Sequence, residues 1–217
     1  MISNLISNPL SFIIYIAALL VAITIHEFSH AYMADRLGDP TPKLMGRITF
    51  NPLAHLDVLG TLMLVLVGFG WGKPVQFDPF NLRHPKKDSA LISLAGPASN
   101  LILASILSLI LRVASPIGLI SPISLIESIL EPFIYLNVLL AIFNLIPIHP
   151  LDGFKVVGGL LPKHYYDSWV QLERYGLLFL IILLFPIFGT SPIISIISPI
   201  VNLILGILIP GGSGGIT

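Results

Sequence analysis

Long apolar runs separated by short polar stretches dominate this chain of 217 residues. Residues 9–33 are nearly all apolar, and residues 89–113 and 131–149 form two further runs. Each run is long enough for a membrane-spanning helix, which needs about 20 predominantly apolar residues. Two later runs, residues 175–188 and 193–209, are bounded or interrupted by proline and predict a closing helical hairpin. The pattern therefore predicts an all-α polytopic membrane protein with about five to six transmembrane helices.

The apolar run of residues 58–69 is too short for an ordinary span and predicts a re-entrant or interfacial segment. Residues 71–77 follow with the sequence WGKPVQF, in which glycine and proline predict a turn that leads into a short strand. Non-helical backbone at membrane depth must be covered by protein or by a water-filled cavity. A strand there could pair its edge with an extended substrate, which makes Val75 and Gln76 candidate substrate-binding residues. A short loop on the membrane surface is the alternative that the same residues leave open.

The composition agrees with a membrane location and narrows the chemistry. Hydrophobic residues make up 55% of the chain, charged residues make up 10%, and the mean hydropathy is +0.94. Soluble domains carry roughly 25% charged residues, so a soluble fold of this size could not bury so much apolar surface. The formal net charge is zero, which gives no reason to expect a nucleic-acid partner. The chain has no cysteine, so we expect any metal ion to be held by His, Asp or Glu.

Three ionisable residues stand near the end of the first apolar run: His26, Glu27 and His30. On a helix, positions i and i+4 project from one face, so both imidazoles can bind one zinc ion. The adjacent carboxylate of Glu27 can then take a proton from the metal-bound water, as in the H-E-x-x-H pattern of metal-assisted peptide hydrolysis. Ionisable groups inside a membrane span are costly and are functional by default. This favours the metal site over a helix end whose histidines merely bond to carbonyl groups.

A second polar stretch ends the third apolar run, with the sequence NLIPIHPLDG at residues 144–153. A catalytic zinc site needs three protein ligands and an open position for water, and Asp152 is the third ligand that we expect. His149 is a rival ligand, although metal sites also keep extra polar groups around their ligands. The remaining histidines lie in polar connectors and are expected at the surface: His55, His84 and His164.

The topology provides a test of this ligand set. His30 lies near the exit end of the first span, and Asp152 lies just past the exit end of the third. One span between them places both residues at one membrane face, provided that residues 58–69 are re-entrant. All the basic residues except Arg112 then fall on that side: Arg36, Lys43, Arg47, Lys73, Arg83, Lys86, Lys87, Lys155, Lys163 and Arg174. The positive-inside rule makes this side cytoplasmic, so we expect the active site near the cytoplasmic face.

Small residues mark the second span at residues 95–100, which have the sequence AGPASN. They permit close helix approach, and Pro97 frees a backbone carbonyl group. Asn100 is a polar group in an apolar span and needs a partner. Simple helix packing and a role at the active site, such as a contact with substrate, are both open for this residue.

These motifs together resemble those of the site-2 protease family of intramembrane zinc metalloproteases. The resemblance rests on HEFSH at residues 26–30 and on NLIPIHPLDG at residues 144–153. The connectors NPLAHLD at residues 51–57 and AGPASN at residues 95–100 are also similar to those of the family. The similarity covers residues 20–155, roughly the whole catalytic core.

The resemblance implies that one zinc ion is held by His26, His30 and Asp152, and that Glu27 is the catalytic base. It makes Asn144 a candidate to contact the substrate backbone or the developing oxyanion. It also implies regulated intramembrane proteolysis of a transmembrane protein substrate within the lipid bilayer of the cell membrane. The family often carries a PDZ domain or CBS motifs, and we expect here a compact form without room for either.

We expect one transmembrane metalloprotease domain over residues 1–217. Its catalytic core covers about residues 9–155, its closing hairpin about residues 175–209, and a glycine-rich tail at residues 210–217 is expected to be flexible. Two other functions fit the same residues. A membrane metal transporter would be expected to carry further acidic groups along its spans, and an inactive protein that binds transmembrane helices would have no need of Glu27.

Overall fold

The computed structural model describes residues 8–67, 70–114, 120–185 and 191–209, and the regular structure in these ranges is helical. The α-helices there are, in chain order, α1 Pro9–Leu37, α2 Thr41–Leu44, α3 Val58–Val67, α4 Pro85–Ala114, α5 Ile120–Asn144, α6 Asp152–Leu160, α7 Lys163–Gln171, α8 Glu173–Leu184 and α9 Pro192–Leu208. Short 3-10 turns occur in the connectors at Pro52–Ala54 and Pro79–Asn81. The predicted all-α fold class is confirmed at this level, and the predicted flexible tail lies outside the described residues.

Helix α1 begins and ends at residues whose chemistry favours a boundary. Asn8 accepts a hydrogen bond from the Ser11 N–H at 3.3 Å, and Pro9 occupies the first turn, where no N–H is needed. Gly38 ends the helix with a φ of 110°, a left-handed conformation that a side chain would strain. The 29 residues of α1 extend over roughly 43 Å, which exceeds the ~30 Å hydrocarbon layer of a bilayer. The two histidines of the motif lie in the second half of this length.

Three helical segments are long and apolar enough to cross a membrane: Pro9–Leu37, Pro85–Val113 and Ile126–Asn144. Large apolar side chains on the outer faces of α1 and α4 are exposed, which suits contact with lipid. These observations agree with a membrane protein. Helices α8 and α9 have 12 and 17 residues, so length does not decide whether they cross as well. The count of five to six spans stays a prediction.

The long helices pack through small and branched side chains. Helix α1 presents Ala18 and Ala22, both fully buried, and these allow close approach of α4 and α5. One core cluster joins α4, α5 and α9: Ala104, Leu111, Ile134, Val138, Val201 and Leu205. A second cluster joins the residue before α6 to α8 and α9: Leu151, Leu180, Ile193 and Ile197. The two C-terminal helices therefore pack on the same bundle that carries the motifs.

Helix α3 belongs to an excursion of the chain that returns to its starting point. The helix has 10 residues and is roughly 15 Å long, about half of the hydrocarbon thickness. Leu56 and Gly72 form an isolated antiparallel bridge, and Gly60 packs directly against the backbone of Trp71. The chain therefore enters and leaves this excursion at the same level of the bundle.

The predicted strand at residues 72–77 does not form, and no strand occurs in the ranges that the structure describes. Pro74 has no N–H to contribute to a ladder. The N–H groups of Val75 and Asp78 donate to the side chains of Glu27 and Asp39 instead of to a neighbouring strand. Side-chain acceptors thus replace sheet pairing along residues 72–78, which we call the extended segment.

Candidate metal centre

Three side chains converge where the second half of α1 meets α4 and the start of α6. His26 Nε2 lies 3.0 Å from Asp152 Oδ2, and His30 Nε2 lies 3.1 Å from the same oxygen. The two imidazoles are one helical turn apart, with ring centroids separated by 4.5 Å and planes nearly perpendicular. Both histidines are buried, and Asp152 is half-buried. The structure thus brings together the three residues that the sequence predicts as metal ligands.

The other ring nitrogen of each histidine contacts a fixed oxygen. His26 Nδ1 lies 2.7 Å from Asn100 Oδ1, and His30 Nδ1 lies 2.7 Å from the Ile92 carbonyl oxygen. A carbonyl oxygen only accepts, so His30 donates its Nδ1–H there. Asn100 donates its amide N–H to the Ala22 carbonyl at 3.0 Å, which turns the amide oxygen toward His26. Both neutral imidazoles therefore carry their proton on Nδ1 and direct the Nε2 lone pair at the carboxylate.

This arrangement suits a cation. Two Nε2 lone pairs and an ionised carboxylate oxygen are all acceptors, and they lie within 4.8 Å of one another. A positive charge among them offsets their mutual repulsion, and a metal ion supplies it without protonating the ligands. Ligand atoms bound tetrahedrally at about 2.0–2.1 Å lie about 3.3 Å apart, close to the 3.0 and 3.1 Å between carboxylate and imidazoles. Two imidazole nitrogens and one carboxylate oxygen are a donor set of catalytic zinc sites, so these residues fit zinc.

Asp152 is the first residue of α6, where the N-terminal end of a helix favours a negative charge. Burial opposes ionisation of this carboxyl, but when no metal ion is bound the adjacent imidazoles can take up a proton on Nε2, and their charge and N–H groups hold the pKa of Asp152 well below its usual range. Both effects keep the carboxylate in the ionised form that binds a metal ion.

Two glycines make room for the group of His26, His30 and Asp152, which we call the cluster. A Cβ at Gly96 of α4 would collide with the ring of His30 and would lie 2.7 Å from His26 Cε1. A Cβ at Gly153 of α6 would collide with the carbonyl group of Leu145. Only glycine permits these approaches, so the AGP and LDG sequences set the spacing of α4 and α6 around the histidines.

Glu27 lies beside the cluster and is held by the extended segment. Its Oε2 accepts a hydrogen bond from the Val75 N–H at 2.9 Å. Gly72 also approaches this carboxylate, since a Cβ at Gly72 would lie 4.0 Å from Glu27 Oε1. The half-buried side chain is therefore oriented by backbone that comes from a different part of the chain.

Comparison with known proteins decides the family. The chain matches Peptidase family M50 over residues 14–124 and 110–185. The chain belongs to this family, the site-2 proteases, and the predicted resemblance is confirmed.

Relatives of this M50 peptidase include YwhC of Bacillus subtilis, which is 38% identical over 184 residues covering 82% of this chain and 84% of YwhC. Rip2 of Mycolicibacterium smegmatis is 31% identical over 190 residues, or 82% of this chain and 70% of Rip2. Both carry provisional names as zinc metalloproteases. A protein of Methanocaldococcus jannaschii that is named a zinc metalloprotease is 23% identical over 90% of this chain and 49% of its own length. No solved structure matches the chain.

The extended segment of this M50 peptidase is tied down at both ends. Arg47 is buried and donates to the Lys73 carbonyl at 3.3 Å, while the Lys73 N–H donates to the His55 carbonyl at 2.8 Å. At the other end, Asp39 accepts a hydrogen bond from the Asp78 N–H at 2.7 Å. Burial opposes ionisation of Asp39, but hydrogen bonds from neighbouring hydroxyl, amide and backbone groups hold its pKa below the usual range. These anchors fix the position of the segment relative to the end of α1.

The expected surface position of His55 is wrong, because this side chain is fully buried. Its Nε2–H donates to the Thr49 carbonyl oxygen at 2.9 Å, and its backbone supports the extended segment. The connector around it has a polar composition but folds inward to hold that segment. His84 and His164 are exposed, as predicted.

The candidate substrate-binding residues lie in different surroundings. Asn100 is fully buried behind His26, and this placement favours a role in holding the imidazole over the predicted contact with substrate. Asn144 is half-buried at the end of α5 and donates to a carbonyl one turn earlier at 3.0 Å. Gln76 is exposed on the extended segment, while the N–H of Val75 donates to the Glu27 carboxylate.

His149, the rival ligand, lies outside the cluster. Its Nδ1 is 3.3 Å from Glu173 Oε1, and its ring contacts that of Phe154 edge-on at 5.8 Å. Among the described residues, the group that could hold a metal ion consists of His26, His30 and Asp152.

Sequence reasoning missed three buried polar residues that support the site: Asn137, Arg47 and Asp39. Asn137 stands inside the third apolar run, and a polar residue at that depth is a signal that could have found it. Arg47 and Asp39 lie in connectors, where charged side chains are usually exposed, so their burial had no signal in the sequence.

Proposed function

We propose that this M50 peptidase is an intramembrane zinc metalloprotease that hydrolyses peptide bonds in or near transmembrane segments of its substrate proteins. The observation that carries the proposal is that Asp152 of α6 meets His26 and His30 beside Glu27. The two histidines and Glu27 lie on α1, a helix long and apolar enough to cross a membrane. A single zinc ion suits this donor set. Regulated intramembrane proteolysis is the role known for the family, and its substrates are membrane proteins.

Each residue has a distinct task in the hydrolysis. His26, His30 and Asp152 hold the zinc ion, which when bound polarises the scissile carbonyl group and makes water more acidic. Glu27 takes a proton from the attacking water and returns it to the leaving amine as the carbon–nitrogen bond breaks. The Val75 N–H donates to Glu27 and so holds the carboxylate in one orientation for both transfers.

A helical substrate must be opened before it is cut. A transmembrane helix satisfies its own backbone hydrogen bonds, and opening it in lipid costs several kcal/mol for each exposed group. The extended segment offers backbone near Gln76 for pairing with an unwound substrate, while Val75 sets the distance between that backbone and Glu27. Asn144, at the end of α5, is the candidate for a contact with the substrate backbone or the developing oxyanion.

The active site is proposed to lie near the cytoplasmic face of the cell membrane, in a multi-pass protein. The distribution of charge supports this side: along the chain, the basic residues of the connectors stand near the same helix ends as the cluster residues, and Arg112 lies in the last turn of α4. The bridge between Leu56 and Gly72 supports a re-entrant course for α3, because the chain returns to the level at which it left. Helices α8 and α9 would then complete the count of five spans.

The experiment that tests the proposal compares wild type with Glu27→Gln in cleavage of a single-span model substrate by purified protein in detergent. The variant removes the base but none of the three ligands, so we expect bound zinc to be retained and the cleavage rate to fall by about 10²–10⁴-fold. Glu173→Gln is the matched control, since Glu173 pairs with His149 outside the cluster, and its rate should stay near that of wild type. A Glu27→Gln variant that cleaves at the wild-type rate would overturn the assignment.

A further inference from the structure

A line of three hydrogen-bonded side chains runs from α5 to the metal cluster. Asn137 of α5 is fully buried, and its Oδ1 accepts a hydrogen bond from Asn100 Nδ2 at 2.7 Å. Asn100 of α4, also fully buried, meets His26 Nδ1 through its Oδ1 at 2.7 Å. The line joins three helices, and Asn137 belongs to none of the sequence motifs.

Two backbone carbonyl groups set the direction of every hydrogen bond in this line. The Phe133 carbonyl accepts from Asn137 Nδ2 at 2.8 Å, which leaves Asn137 Oδ1 as an acceptor toward α4. The Ala22 carbonyl accepts from Asn100 Nδ2 at 3.0 Å, so the amide nitrogen of Asn100 points away from the histidine and its oxygen points toward it. His26 therefore donates through Nδ1–H. Its lone pair then lies on Nε2, the nitrogen that faces the cluster.

Reversal of either amide is costly. If Asn100 turned its nitrogen toward His26, its oxygen would face the Ala22 carbonyl and Asn137 Oδ1, so three acceptors would meet without a proton. A buried polar group left without a partner carries its full desolvation penalty, and both amides are fully buried, out of reach of bulk solvent. The contacts of this line are therefore consistent in one direction only.

We propose that Asn137 is a positioning residue of the metal centre: through Asn100 it holds His26 in the tautomer whose Nε2 binds zinc. The inference rests on the proposed function, because it requires His26 to be a zinc ligand. Groups that orient a ligating histidine affect metal binding without touching the metal. An asparagine in an apolar span is otherwise costly, and this role accounts for its presence.

The test measures the zinc dissociation constant of the purified full chain in detergent, by competition with a chelator at fixed pH. We expect Asn137→Leu to bind zinc about 10-fold more weakly than wild type, at the lower end of the range for groups that orient a ligand. Asn202→Leu is the matched control, because Asn202 lies on α9 outside this line. Its zinc affinity should equal that of wild type. If Asn137→Leu does not fold, Asn137→Ala removes the same amide group.

Two further variants separate positioning from simple packing. Asn137→Asp should keep near wild-type affinity, because a buried protonated carboxyl group can donate to the Phe133 carbonyl and accept from Asn100. The double variant Asn100→Leu/Asn137→Leu should bind zinc as weakly as Asn100→Leu alone, since Asn137 acts only through Asn100.

Three results would overturn the inference. They are wild-type zinc affinity in Asn137→Leu, a zinc affinity in Asn137→Asp as low as that of Asn137→Leu, or a double variant that binds zinc more weakly than Asn100→Leu alone. His26→Ala distinguishes this failure from that of the proposed function. Strong loss of zinc in His26→Ala with none in Asn137→Leu would overturn the positioning role alone. Unchanged zinc binding in His26→Ala would overturn the metal centre together with the inference.

Discussion

At the scale of single residues, the chemistry of the centre depends on what lies behind each imidazole. His26 and His30 direct their Nδ1–H at fixed oxygens, so their Nε2 lone pairs converge on Asp152. Gly96 packs against both rings from α4, and no other residue type leaves room for them there. The three ligands alone therefore do not form the site, because α4 must also present a residue without a side chain to the two imidazole rings.

Gly96→Ala should abolish or strongly weaken zinc binding, by tenfold or more, because the added Cβ would displace the His30 ring and press on His26. Alanine is a better helix former than glycine by about 1 kcal/mol, so the loss would occur without a weaker helix α4. Metal analysis of purified protein measures the effect. Gly206→Ala of α9 is the matched control, since nothing lies within 4 Å of its added Cβ. A Gly96→Ala protein with a full complement of zinc would refute this packing argument.

The meeting of His26, His30 and Asp152 could be predicted because the sequence signals for it are local. HEFSH places two histidines one turn apart within a single helix, and Asp152 follows the next apolar run that ends on the same side. The orientation of the Asn100 side-chain amide could not be predicted, because a polar residue in a span indicates only that it needs some hydrogen-bonding partner. Its partners lie 37 to 78 residues away in the chain, and only the packing of three helices selects them.

At the scale of elements, the extended segment shows which structural features a local sequence pattern can predict and which it cannot. Glycine and proline correctly predict an irregular connection after α3, but the expected strand does not form. Its backbone donors are taken by Glu27, 48 residues earlier in the chain from Val75, and by Asp39, 39 residues earlier from Asp78. Local sequence propensities contain no information about acceptors that lie so far away in the chain. The apolar helices, in contrast, are predicted by the length and the periodicity of apolar residues within a single stretch of sequence.

Val75→Pro should lower the cleavage rate by about 10- to 100-fold while zinc stays bound, because proline has no N–H to donate to Glu27 and a hydrogen bond to a charged group contributes about 1.5–3 kcal/mol. Val75→Ala keeps the N–H and should retain most of the activity. Cleavage of a single-span substrate, measured beside bound zinc, reports both properties. Equal rates for Val75→Pro and Val75→Ala would show that the Val75 N–H is not needed.

At the scale of the whole molecule, three long apolar helices carry a polar site that needs water. The metal-binding group comes from α1 and the start of α6 and packs against Gly96 of α4, while α8 and α9 pack on the same bundle through apolar clusters. Helices α8 and α9 have only 12 and 17 residues, whereas α1 and α4 are long apolar runs. The sequence therefore predicts the helices that surround the cluster more clearly than it predicts the number of crossings.

The orientation in the membrane is testable because the chain has no native cysteine. Lys87 and Val113 are exposed and lie near opposite ends of α4. We expect a membrane-impermeant thiol reagent to label Val113→Cys on intact cells, and to label Lys87→Cys only after permeabilisation, because the proposed topology places the basic connectors on the cytoplasmic side. The reverse pattern would place the active site on the outer side.

The central claim is that His26, His30 and Asp152 hold one zinc ion on which proteolysis depends. The most direct test measures bound zinc and substrate cleavage for wild type and for Asp152→Asn. This substitution removes the charge of the ligand while it keeps the shape of the side chain. His149→Ala serves as the control, since His149 pairs with Glu173 outside the cluster. We predict about one zinc ion per wild-type and His149→Ala chain, and loss of most zinc and cleavage in Asp152→Asn. Full zinc and full cleavage in Asp152→Asn would contradict it.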